Sequence, residues 1–361
     1  MSNLFDSFQL GALSLANRIV MSPMTRLRAD GTIPTELMAK YYSQRATAGL
    51  IITECAAISP MSLGYMNVPG IYNQEHIESW KIVTNAVHQQ GGKIFLQIWH
   101  SGAVAHPSLL DGKQPIAPSA IAPKGQLHTP VGKVDIEIPR ALETSEIPEI
   151  VAQFRTSATN AKQAGFDGIE LHGAFGYLID RFLQNGSNQR SDKYGGSISN
   201  RARFLLEVVE AVTQEWDSQS VGIKLSPSNT FYGMHDSNPQ ETFGYVIREL
   251  NAFNLAYIHL MEASEADLKH GAKIHPVLPV FRPFYQGTII TNGGYDKDSG
   301  NKVIGEEKAE LVSYGRPYIA NPDLVARFKQ NAELNQFDPK TSYGRGDTID
   351  AKKGYTDYPC L

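Results

Sequence analysis

The chain has 361 residues, 42% of them hydrophobic and 19% charged. This excludes a disordered chain and leaves enough apolar residues for a core that needs neither disulfides nor a structural metal. Lys and Arg total 33 against 37 Asp and Glu, a net charge of −4, so no basic field points to nucleic acid or to an anionic membrane.

The two cysteines, Cys55 and Cys360, make no disulfide framework and fit a reducing compartment. The opening MSNLFDSFQLG lacks a basic n-region and an apolar h-region, so no signal peptide is expected. No stretch nears the roughly 20 apolar residues of a membrane span. A cytoplasmic protein is the expectation.

Eight short apolar runs follow in chain order. They are Arg18–Ser22, Gly49–Cys55, Lys93–Trp99, Phe166–His172, Val221–Ser226, Leu255–Met261, Gly287–Asn292 and Leu311–Tyr314. Several are nearly continuous Ile, Leu and Val, the pattern of parallel strands buried on both faces. Helical periodicity lies between them, most clearly over Glu75–Gln90, Ile147–Ala164, Asn200–Glu215 and Pro239–Phe253. Eight alternations predict an α/β chain folded as one (β/α)8 TIM barrel over residues 1–361. A doubly wound sheet is the alternative, but no G-x-G-x-x-G follows the first strand. One interval breaks the rhythm. Ser101–Pro139 is rich in proline and ends in the alternating GKVDIEIP. It predicts an excursion after strand three, with a β-hairpin capping one barrel end as a lid. The polar tail Asp338–Leu361 is expected to wrap the barrel.

In such a barrel, chemistry sits at the C-terminal strand ends. Strand seven runs into Gly293 and Gly294, strand eight into Gly315 and Arg316. Glycine N–H groups and an arginine fork at adjacent ends suit a phosphate; ordinary turns with a surface arginine are the plainer reading. Gln97 is an amide inside an apolar strand and needs partners, either a heteroaromatic edge or nearby backbone. Lys224, also in an apolar run, needs an anion or an electron-rich ring, forms a structural ion pair, or serves as a Schiff-base lysine. His172 is a possible metal ligand, with His100 and Glu54 as partners, but strands one, five and seven supply none, so no metal is expected. Tyr177 is either a core tyrosine or a proton donor. An ordinary phenol, with a pKa of about 10, stays protonated at neutral pH.

Together these residues resemble the Old Yellow Enzyme family of FMN-dependent ene reductases over nearly the whole chain. The marks are NRIVMSPMTR (Asn17–Arg26), Gln97–His100, the long run from His172 to Phe204, and YGRPYIANPDLV (Tyr314–Val325). The resemblance implies non-covalent FMN at the barrel mouth. Pro23, Met24 and Thr25 would lie along its ring, with the Cys55 backbone facing it. Gln97 would bond the pyrimidine edge beside Lys224, which stands where the family usually has arginine. Gly293, Gly294, Gly315 and Arg316 would cradle the phosphate.

The resemblance also implies a cycle. NADPH or NADH, with NADPH the family habit, gives hydride to FMN. An α,β-unsaturated carbonyl, imide or nitro compound then receives hydride at Cβ from flavin N5 and a proton at Cα from Tyr177. His172 would hold the substrate oxygen, and Thr25, Tyr65, Trp99 and Tyr343 would line the pocket.

One position departs from the pattern. The family's His-x-x-Asn or His-x-x-His reads His172-Gly173-Ala174-Phe175 here, so the second oxygen donor is absent. This reads as a natural or engineered variant, with activity expected to persist through His172. A barrel that holds FMN with little turnover, and a colourless metal or Schiff-base lyase, are the competing readings. Monomer or homodimer is left open.

Overall fold

The computed structural model describes residues 2–344 and 350–361. Each predicted run forms a strand: β1 Ile19–Met21, β2 Leu50–Ala57, β3 Ile94–Trp99, β4 Gly168–Gly173, β5 Val221–Leu225, β6 Tyr257–Met261, β7 Ile289–Asn292 and β8 Leu311–Tyr314. All neighbours are parallel, and β4 pairs with β3 at Gly168↔Phe95, which closes the ring. Closure rules out the doubly wound sheet.

Strand parity divides the side chains into two sets. Outward residues such as Ile19, Ile51, Leu96, Ile169, Ile223, Ile258 and Val312 join one core with the helices. Helices Gln74–His88, Ile147–Gln163, Ile198–Thr213 and Pro239–Leu250 occupy the predicted helical stretches. Asn73, Ser197 and Asn238 cap three of them by accepting a backbone N–H.

Inward residues at the N-terminal end are apolar: Val20, Ile52, Phe95, Tyr257, Ile290 and Leu311. The Tyr257 ring fills the axis because β5 offers Gly222 opposite it; a Cβ there would lie 2.2 Å from the ring. A small antiparallel hairpin, Phe8–Leu10 with Leu13–Leu15, adds Leu10 and Leu15 to this cluster and plugs the bottom.

The excursion after β3 holds an antiparallel hairpin, Gln126–Thr129 with Gly132–Asp135, whose residues reach the cavity at the barrel mouth. The C-terminal tail is held by three buried arginines from the first sixth of the chain. Arg26 donates to the carbonyls of Ser342 (2.7 Å) and Gly354 (2.8 Å), and Arg28 to those of Thr341 (3.0 Å) and Ala351 (3.1 Å). Arg45 reaches the Tyr355 carbonyl at 3.4 Å. The Tyr355 ring stacks on Tyr41 with centroids 4.0 Å apart. Among the described residues no helix is long and apolar enough to cross a membrane.

Candidate active site

Higher up the barrel axis the inward residues turn polar. Gln97 Nε2 donates to Glu170 Oε1 at 2.8 Å, and the other oxygen of Glu170 lies 2.8 Å from His259 Nδ1. His259 Nε2 lies 2.8 Å from Ser313 Oγ, which also accepts from Asn292 Nδ2 at 2.6 Å. Burial, reinforced by the charge of Lys224, lowers the His259 pKa to about 4. The ring is therefore neutral near pH 7. Its Nδ1–H donates to the carboxylate, and its Nε2 accepts from the serine. Every donor in this row has a partner, which is what a buried polar row requires.

Above that row a cavity of about 1290 Å³ opens at the C-terminal ends of the strands. Lys224 points into it. Its ammonium is buried, donates to Ser22 Oγ at 3.4 Å, and meets no carboxylate within ion-pair distance among the described residues. Burial lowers its pKa to about 8, with the charge of Glu170 acting the other way.

His172 sits on the cavity wall with its Nδ1 accepting from the Ala174 N–H at 3.4 Å. Burial first, then Lys224, lowers its pKa to about 3, so the ring is neutral. With Nδ1 occupied as an acceptor, the proton is on Nε2. Tyr177 stands edge-on to this ring, centroids 4.9 Å apart at 87°. Burial pushes its phenol well above 10, which keeps it protonated.

Phe175 lines the same wall. It has φ = 56°, a left-handed conformation that suits Asn far better than Phe. Its N–H donates to Ser226 Oγ at 2.9 Å.

Pro23, Met24, Thr25, Tyr65, Gln97, Lys224, Gly315, Arg316 and Tyr343 line the cavity with His172, Phe175 and Tyr177. Cys55, Trp99, Gly293 and Gly294 do not. Cys55 lies behind Thr25, Sγ to Oγ1 3.3 Å, and burial pushes its thiol up to about 12. Trp99 is fully buried behind the pocket. It stacks on Tyr65 at 6.0 Å and meets Tyr177 edge-on at 5.1 Å. Gly293 and Gly294 form the turn after β7, with φ of 134° and 74°. No acceptor among the described residues takes their N–H groups, and a Cβ on Gly294 would meet nothing within 4 Å. That open turn beside Gly315 and Arg316 is shaped for an anion.

Glu170, His259, Ser313 and Tyr232 belong to the site or its support and were not singled out from the sequence. Glu170 carried a signal: it lies two residues before His172, so the two share a face. Among the described residues no group of three or more His, Cys, Asp or Glu is placed to hold a metal.

A buried cation without a counter-ion, an anchored amide and an open glycine turn fit one molecule: a flat heteroaromatic ring with an electron-rich edge and a phosphate tail. FMN has that chemistry. Comparison with known proteins agrees. Residues 3–335 match the NADH:flavin oxidoreductase / NADH oxidase family. The chain is 45% identical to 12-oxophytodienoate reductase 1 of Oryza sativa subsp. japonica, over 99% of this chain and 93% of that one. The solved structure of morphinone reductase in complex with tetrahydroNAD superposes with a TM-score of 0.92 at 42% identity, covering 100% of this chain and 98% of that one. The Old Yellow Enzyme homologue from Zymomonas mobilis superposes at 0.94 with 38% identity, both chains covered completely.

The chain thus belongs to the NADH:flavin oxidoreductase family, within its Old Yellow Enzyme branch. It is a flavin-dependent ene reductase, with FMN as cofactor and a reduced nicotinamide as hydride donor.

Proposed function

We propose that the protein reduces the activated C=C bond of α,β-unsaturated ketones, aldehydes, imides and nitroalkenes, using NADPH or NADH. When bound, FMN supplies the hydride that ends on Cβ, having taken it from the nicotinamide.

The chain's own residues hold the alkene and move its proton. Pro23, Met24 and Thr25 would form one wall for the ring, and Gln97 and Lys224 would hold its pyrimidine edge. Arg316, with the turns at Gly293, Gly294 and Gly315, would take the phosphate. His172 donates its Nε2–H to the carbonyl or nitro oxygen, where negative charge develops. Tyr177 gives its phenol proton to Cα. Tyr65 and Tyr343 bound the substrate, and Trp99 backs Tyr65. The Phe175 side chain has no hydrogen to donate, so the substrate oxygen relies on His172. Two cysteines that form no disulfide suit a reducing, cytoplasmic setting.

The observation that carries this reading is the pair on one cavity wall: a neutral imidazole with Nε2–H to donate, edge-on to a protonated phenol. Steady-state assays on enones, maleimides and nitroalkenes test it. Tyr177→Phe should lower kcat on 2-cyclohexenone by about a hundredfold or more, the usual worth of a positioned general acid. An unchanged kcat would remove Tyr177 from the role.

A further inference from the structure

Three phenols stand in a row at the rim of the cavity. The Tyr177 hydroxyl lies 2.9 Å from that of Tyr65, which lies 2.5 Å from that of Tyr232. Tyr232 comes from the loop after β5, on the opposite side of the mouth from Tyr65. Its own φ is 56°, and its carbonyl accepts from the Lys124 N–H at 3.0 Å, which ties the loop to the excursion after β3. Tyr232 is itself partly exposed and lines the open cavity, so this end of the row is the one nearest solvent.

Arg181 stands near that outer end. Its Nε donates to the Gly176 carbonyl at 2.7 Å, and its buried Nη2 has no partner among the described residues. Burial raises the Tyr232 phenol, and the charge of Arg181 opposes that rise. Negative charge is therefore better tolerated on Tyr232 than on the two inner phenols.

We propose that Tyr232 and Tyr65 form a proton relay that resupplies Tyr177 from solvent. This rests on the reading of Tyr177 as the acid. A phenol carries one proton and can accept others' hydrogen bonds on its oxygen. With all three hydrogens directed inward, Tyr232 donates to Tyr65, Tyr65 to Tyr177, and Tyr177 to Cα. As the Cα–H bond forms, the Tyr177 O–H breaks and is remade with the proton of Tyr65. Tyr65 takes the proton of Tyr232, and a solvent proton restores Tyr232. One proton enters, one leaves on the product, and no electron passes through the phenols. The relay spares the site a phenolate at Tyr177, where burial makes charge costly.

The test uses the FMN-loaded enzyme, reduced beforehand and mixed with 2-cyclohexenone in single turnovers. Wild type should show a solvent deuterium effect with a bowed proton inventory, because more than one proton moves. Tyr232→Phe keeps the ring and removes the outer hydroxyl. It should slow enone reduction by about tenfold, less than loss of the acid itself, and make the inventory linear. Its reoxidation by ferricyanide, which takes electrons and no proton, should match wild type and so report an intact site. A Tyr232→Phe enzyme with wild-type rate and a bowed inventory overturns the relay and leaves the ene-reductase reading standing. A wild type that reduces no activated alkene overturns that reading instead.

Discussion

The Lys224 ammonium lies 5.6 Å from the centroid of the Phe175 ring, on the same cavity wall. The ring face offers the buried cation a weak attraction and no hydrogen bond. The stronger partner for Lys224 is an electron-rich ligand edge in the cavity.

A pH dependence follows. Lys224 has a pKa of about 8 in the fold against 10.5 for a free side chain. Below about 8 it is charged and attracts the FMN ring edge. Above that it loses its proton in the apoprotein, so FMN affinity should be flat to about pH 8 and fall beyond it. The apoprotein's own stability moves oppositely: the depressed pKa means that burying the charge costs stability below about 8, and the cost fades as pH rises towards 10.5. Quenching of FMN fluorescence on titration with apoprotein, from pH 6 to 10, measures the affinity. Lys224→Arg, which stays charged, should abolish the decline.

Phe175→Asn addresses two defects at once. Asn tolerates the left-handed backbone, and its amide can donate to the substrate oxygen beside His172. Since one such donor is worth on the order of a hundredfold, kcat/KM on 2-cyclohexenone should rise by at least tenfold. A fall, or no change, would show that the pocket is built around the ring rather than weakened by it.

Glu170 has no exposure and anchors both Gln97 and His259. Glu170→Ala leaves two buried donors without an acceptor. Each buried neutral donor left unsatisfied costs about 1–3 kcal/mol, to be read from urea unfolding of the apoprotein. FMN should also bind more weakly, because the Gln97 amide is no longer held in one orientation.

Tyr355→Ala removes a fully buried ring stacked on Tyr41. A loss of about 3–5 kcal/mol is expected for an aromatic of this burial. Limited proteolysis should then cut within 350–361 first, and KM should rise, because Tyr343 on the same tail lines the cavity.

The barrel was readable from the sequence because each strand is covered on both faces, so its apolar run is nearly unbroken and ends where the chain turns. The mouth residues were readable for a related reason: Gln97, His172 and Lys224 are polar exceptions inside such runs. Depth along the axis was not readable. Trp99 and Cys55 stand at strand ends yet lie behind other side chains, because bulky Tyr65 and the segment bearing Thr25 come in front of them. Glu170 and His259 lie one layer below the mouth, where a list of strand ends does not reach. Tyr232 depends on how two distant loops meet, and no local pattern of residues records that.

The arginine-held tail bears on how the protein is made. A ribosome that has just finished Tyr314 has produced all eight strands, while Arg26 and Arg28 still lack the carbonyls of Thr341, Ser342, Ala351 and Gly354 that will take their N–H groups. Until those residues emerge, both guanidiniums stay wet and Tyr343 is missing from the pocket. Synthesis of the barrel strands and completion of the active site are thus separate events, and the second waits until Gly354 has been added.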